Sequence, residues 1–174
     1  GRISQEGPRL LQVESASVRF GKVDAVSEAT FELPAGQVTA LLGPNGAGKS
    51  SLLNAIWDGA SSGKVTLCAI DVEPTELDYS ERAKRIAYVP QNSSDLLLEQ
   101  TLGRELERSD EHSAVPPGTT AKLFASLAGR QDPQLHPRDL SAGQQLALVL
   151  SMQLAGQADV VLLDEPTRGL DYEA

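Results

Sequence analysis

The densest chemistry in the sequence lies in Gly43-Pro44-Asn45-Gly46-Ala47-Gly48-Lys49-Ser50, a match to GxxxxGK[ST]. Its three glycines let the backbone curl into a concavity of N–H groups that phosphate oxygens can approach without meeting a Cβ. Lys49 is placed to reach the β and γ phosphates and Ser50 to offer its hydroxyl to Mg²⁺, which makes this a nucleoside-triphosphate site. A second group, Asp164-Glu165, follows the apolar run Val160-Val161-Leu162-Leu163. Adjacent carboxylates at the end of a buried strand are costly unless a cation or a proton offsets them. Asp164 suits Mg²⁺ held through water, and Glu165 suits taking a proton from an attacking water. Gln91 comes just after Ile86-Ala87-Tyr88-Val89-Pro90 and is either a plain loop residue or, at the edge of a nucleotide site, a holder of the Mg²⁺ or the attacking water. Ser141 in Leu140-Ser141-Ala142-Gly143-Gln144 can cap the helix that follows, and the same geometry builds an anion site from its hydroxyl and the N–H groups of Ala142, Gly143 and Gln144. Phe20 is open between packing and stacking on an adenine face. His112 and His136 have no metal-ligand company.

These residues need particular elements beneath them. The phosphate loop requires a buried strand before it, expected over Gln37-Val38-Thr39-Ala40-Leu41-Leu42, and an amphipathic helix after it, expected over Ser51-Leu52-Leu53-Asn54-Ala55-Ile56. Upstream, strands are expected over 11–18 and 27–33, joined through Gly21-Lys22-Val23-Asp24, with Phe20 in the turn and Pro34-Ala35-Gly36 breaking the chain. Downstream, 64–70 reads as a strand holding Cys68 as a small buried residue, 73–85 as a polar stretch with a short helix, and Ile86–Val89 as a strand. From Asn92 to Arg138 the strand signal disappears: helices are expected at 101–108 and 119–127, separated by a polar loop over 109–118. A long apolar helix then runs through Leu146–Leu154 and is closed by Gly156.

With 174 residues the chain supports one domain with a real core and an attached lobe. Its 24 acids against 15 bases leave a net charge of −9, which gives no footprint for nucleic acid. One cysteine excludes an internal disulfide. No stretch is apolar for long enough to span a membrane. We expect residues 1–8 to be linker or leftover sequence and 9–174 to be one domain, with its core in 9–92 and 157–174, a helical lobe in 93–156, and an incomplete C terminus.

Taken together and in order, these motifs resemble the nucleotide-binding cassette of ABC ATPases: the aromatic Phe20, the phosphate loop 43–50, the Q-loop residue Gln91, the signature Leu140–Gln144, the Walker B strand ending in Asp164-Glu165, and the D-loop Gly169-Leu170-Asp171. The resemblance implies an α/β fold, a RecA-like P-loop NTPase core with an N-terminal antiparallel β region and an inserted α-helical lobe that carries the signature. It implies ATP and Mg²⁺ as ligands and a head-to-tail pair with a second cassette, the Ser141 end of one closing over ATP held by Lys49 of the other. On this likeness Phe20 stacks on the base, residues Gly43 through Ser51 bind the phosphates, and Ser141, Gly143 and Gln144 contact the partner's nucleotide. Ser50, Gln91 and Asp164 serve Mg²⁺, and Glu165, Gln91 and Lys49 serve catalysis. A transmembrane subunit would dock beside Gln91, at the cytoplasmic face of the membrane.

Two departures are visible. Ala142 stands where the family usually has glycine, and the family's switch histidine would fall beyond Ala174, so the chain is expected to bind ATP and hydrolyse it poorly. The strings His136–Gln144 and Asp164–Tyr172 look like the second cassette of energy-coupling-factor importers, which take up vitamins or transition-metal ions. The rival classes are a soluble ABC ATPase of DNA repair or translation and a nucleotide-binding module that no longer turns over. Lys49 and Ser141 are too close in sequence for a coiled-coil insertion, and intact Lys49, Asp164 and Glu165 count against the module.

Overall fold

The computed structural model describes residues 7–166, which fall into two units divided between Ala83 and Lys84. In the first, alternation buries Leu11, Val13, Ala16 and Val18 on one face of β1 (Arg9–Phe20). β1 pairs antiparallel with β2 (Val23–Pro34) on one side and with β3 (Ser62–Leu67) on the other, giving the order β2-β1-β3. Gly21 and Lys22 make the hairpin turn, so Phe20 is the last residue of β1 rather than part of the turn. The register shifts near the middle of β1, where Ser15 takes a φ of 46°. The ladder bonds displaced there are replaced by hydroxyls: Thr30 Oγ1 accepts the Ser15 N–H and Ser17 Oγ accepts the Glu28 N–H, at 2.9 and 3.0 Å.

Helix α1 (Lys49–Asp58) buries Leu52, Ala55 and Ile56. Its C-terminal end is tied to α2 (Tyr79–Arg85), whose Arg82 donates to the Trp57 carbonyl at 2.8 Å and lies 5.5 Å from the Trp57 ring centre. Two expectations fail in this unit. The run Gln37–Leu42 is not a strand: it is irregular, with Val38 and Leu42 almost wholly exposed. An apolar run becomes a strand only where a neighbour supplies ladder hydrogen bonds, and the described residues pair nothing with it. Cys68 is not in a strand either. β3 stops at Leu67, and Cys68 sits half-buried in a turn closed by the Leu67–Val72 bridge.

In the second unit, β4 (Ile86–Val89) and β5 (Val160–Leu163) pair in parallel, Ile86 opposite Val160 and Val89 opposite Leu163. Helices α3 (Leu102–His112), α4 (Thr119–Ala128) and α5 (Ala142–Ala155) enclose a core of Val89, Leu97, Leu102, Phe124, Leu140, Leu148 and Val149. Thr101 caps α3 by accepting the Arg104 N–H. α3 runs on through Ser109–His112, where a loop was expected. The reason is Asp110, whose carboxylate accepts the Gly118 N–H at 2.6 Å, the Thr120 N–H at 2.8 Å and the Thr120 hydroxyl at 2.6 Å. It thereby caps α4 from a distance while α3 keeps its helical bonds. At the end of α5 the left-handed residue is Gln157, at φ 53°, not Gly156.

Candidate nucleotide-binding site

In the first unit the glycine loop leads directly into α1. Gly48 is the residue before the helix, at φ 83°, and a Cβ there would lie 2.1 Å from the Ala25 carbonyl oxygen, so only glycine fits. No side chain caps α1 and no acid lies in its first turn. The first N–H groups and the positive end of the helix dipole are thus presented to an anion. Lys49 Nζ donates to the carbonyls of Gly43 and Pro44, both at 3.0 Å, folding the ammonium over the loop's own oxygens. Because Gly48 abuts Ala25 on β2, the loop lies against the same hairpin that ends in Phe20. Phe20 is 63 % exposed, with Val23 opposite it similarly open. A packing residue would be covered, so this ring is available for stacking.

In the second unit, β4 and β5 deliver Gln91, Asp164 and Glu165 to one edge, the carboxyl ends of two parallel strands, where α/β sheets collect ligands. The Asp164 N–H donates to the Val89 carbonyl at 2.9 Å, extending the ladder one step beyond β5, and the residue is 4 % exposed. Glu165 is half-buried with a φ of 45°, a left-handed backbone that a glutamate adopts only at a cost. Ser141 is exposed at the start of α5 in a reciprocal capping box: its Oγ accepts the Gln144 N–H at 3.3 Å, and Gln144 Oε1 accepts the Ser141 N–H at 2.9 Å. Gly143 lies between them in the same exposed turn. Next to this turn is an open pocket of about 140 Å³ lined by Gln91, Ser93, Ala142, Gln145, Leu146 and Pro166 among others. The D-loop residues Gly169, Leu170 and Asp171 lie outside the described residues.

Thus Phe20 and the stretch 43–51 share one unit, and Gln91, Ser141, Gly143, Gln144, Asp164 and Glu165 share the other. Among the described residues no three His, Cys, Asp or Glu gather as a metal cage. Taken by themselves, the Ser50 hydroxyl in the first unit and the Gln91 amide and Asp164 carboxylate in the second are hard oxygen donors. Donors of that kind suit Mg²⁺, which takes oxygen ligands and keeps several waters. His136 has a structural task, its Nδ1 accepting the Arg138 N–H at 3.1 Å. Sequence reading missed Gln145, whose position directly after the signature was the available signal, and Glu105. The Glu105 carboxylate is wholly buried, accepts the N–H groups of Leu98 and Glu99 at 2.7 and 2.8 Å, and pairs with Arg108. A glutamate inside a polar helix carries no local sign of such a role.

Known proteins resemble the chain throughout. A candidate ABC transporter ATP-binding protein of Streptomyces coelicolor is 38 % identical over 96 % of the chain, and the chain spans 30 % of that protein's length. The phosphate import ATP-binding protein PstB of Colwellia psychrerythraea is 31 % identical over 92 % of the chain, which spans 63 % of it. Among solved structures, cbiO1 of Clostridium perfringens, part of the ABC transporter complex cbiONQ, superposes with a TM-score of 0.77 at 22 % identity, covering 94 % of this chain and 68 % of that one. The fold is therefore that of a RecA-like P-loop cassette with an N-terminal antiparallel sheet. The family model described as ABC transporter matches residues 26–168, spanning the phosphate loop, the signature and the carboxylate pair, and the chain belongs to that family.

Proposed function

We propose that the chain is the ATP-binding and hydrolysing engine of a membrane transporter, and in particular the second cassette of an energy-coupling-factor importer of a vitamin or a transition-metal ion. The observation that carries the nucleotide reading is the uncapped start of α1 behind a loop that only glycine can close, with Lys49 already folded over it. Lys49 exchanges the Gly43 and Pro44 carbonyls for β and γ phosphate oxygens, and the N–H groups of 46–51 bind the rest. Phe20 stacks on the adenine. Ser50 and Asp164, with Gln91, hold Mg²⁺, which neutralises phosphate charge when bound. Glu165 accepts the proton of the attacking water. Ser141, Gly143 and Gln144 close on the triphosphate held by a second cassette, arranged head to tail. A transmembrane subunit supplies the path and the chain works from the cytoplasmic face, a reading supported by relatives named as import ATP-binding proteins. The strings His136–Gln144 and Asp164–Tyr172, with relatives named as phosphate and zinc import ATP-binding proteins, support the importer class. A net charge of −9 counts against nucleic acid as a partner.

The test is MgATP binding and turnover on the chain and on a version extended past Ala174. Lys49→Ala is expected to weaken binding at least tenfold, about the worth of one charge-assisted contact. Glu165→Gln is expected to keep binding and to lower turnover by 10²-fold or more, the scale of a lost general base. Absence of MgATP binding in both unaltered proteins overturns the reading.

A further inference from the structure

Adjacent glutamines at the start of α5 serve opposite sides. Gln144 completes the cap on Ser141. Gln145 turns away from it: its Nε2 donates to the carbonyl of Arg138 at 3.0 Å and to that of Leu140 at 2.8 Å, and its backbone N–H donates to the Ser141 carbonyl at 2.8 Å. A primary amide has two N–H donors, and both are taken by the turn that enters the signature. One anchor of that turn is fixed, because Leu140 is buried in the core of the helical lobe. The other, Arg138, is exposed, and its N–H donates to His136 Nδ1. The same glutamine lines the pocket that also contains Gln91, in line with Ala142 and Leu146 on one face of α5.

We propose that Gln145 is a positioning residue for the Ser141 end of α5: its side chain fixes the turn Arg138–Ser141 and is the link between that turn and the pocket beside Gln91. The proposal rests on the nucleotide role given to Ser141 above. It makes the glutamine's donors, rather than its bulk, the property that matters.

The variants follow from that distinction. Gln145→Glu keeps the shape but sets an acceptor against two carbonyls, Gln145→Ala removes the group, and Gln145→Arg keeps several donors. Amide hydrogen exchange at 138–145 is measured on the full chain, together with the ATP dissociation constant, and KM and kcat are measured on the extended protein. Gln145→Glu and Gln145→Ala are expected to speed exchange at the Ser141, Gln144 and Gln145 amides about tenfold, the scale of losing two neutral hydrogen bonds. They are also expected to lower kcat about tenfold while the ATP dissociation constant of the unpaired chain stays within about twofold, because the phosphate loop is untouched. Gln145→Arg should restore both exchange and kcat. The proposal is overturned by unchanged exchange in both disruptive variants, by faster exchange with unaltered kcat, or by Gln145→Arg behaving like Gln145→Glu. Failure of the unaltered proteins to bind ATP sinks the nucleotide reading itself and is distinguished by that control, while the exchange data still decide whether Gln145 holds the turn.

Discussion

Ser141 can be separated into its structural and its chemical halves. Its oxygen accepts the Gln144 N–H, and in the closure proposed above its own proton is donated to a phosphate. Aspartate caps a helix as well as serine does but brings a negative charge to the same place. Ser141→Asp is therefore expected to stay within about 0.5 kcal/mol of the parent in urea unfolding and to lose closure on a triphosphate, whereas Ser141→Ala loses closure and about 1 kcal/mol besides. Asp110 gives a pH signature. Burial alone pushes its carboxyl up, but the hydroxyl and N–H of Thr120 with the N–H groups of Gly118 and Thr119 outweigh that, and the net pKa is lowered. A carboxylate with a folded pKa below its unfolded one stabilises fully above the unfolded value, about 4, and the contribution fades as pH falls through the lower folded value. Asp110→Asn should thus be less stable at pH 7 by about 1–2 kcal/mol, with the gap to the parent narrowing in the acid range. Urea melts at pH 7 and pH 3 check this.

At the scale of elements, Glu105 ties the segment after Gln91 to α3, with Arg108 reaching both Glu105 and, at 3.5 Å, Glu99. Removing the Glu105 carboxylate leaves the Leu98 and Glu99 N–H groups without their acceptor, while Arg108 keeps Glu99. Glu105→Ala should therefore cost about 2–3 kcal/mol in urea unfolding, and Glu105→Gln less, since its amide oxygen can still accept from Leu98 or Glu99. What was legible in the sequence was local. Ser141 announced α5 by capping, Pro90 ended β4, and the apolar run to Leu163 placed Asp164 and Glu165 at a strand end. What was not legible depended on groups distant in the chain. Gln37–Leu42 has strand composition but no ladder partner among the described residues. Ser109–His112 has loop composition but is held helical because Asp110 serves α4. Gln145 and Glu105 read as surface polar residues until the turn and segment they hold are in place. The left-handed backbone of Glu165 has no sequence sign at all, since glutamate carries no preference for it.

For the molecule as a whole, a ligand that binds only the folded chain stabilises it by mass action, about 2.7 kcal/mol at a hundredfold excess over the dissociation constant. MgATP should raise the melting temperature of the parent and raise that of Lys49→Ala by about half as much or less, as read by thermal unfolding at matched nucleotide concentrations. The lysine also bears on how fast the site fills. In the structure its ammonium already holds the Gly43 and Pro44 carbonyls, so nucleotide enters a loop whose cation must first let go. Loading is then gated by an internal opening, and a stopped-flow trace with a fluorescent ATP analogue should show an observed rate that levels off as nucleotide concentration rises instead of climbing in proportion to it.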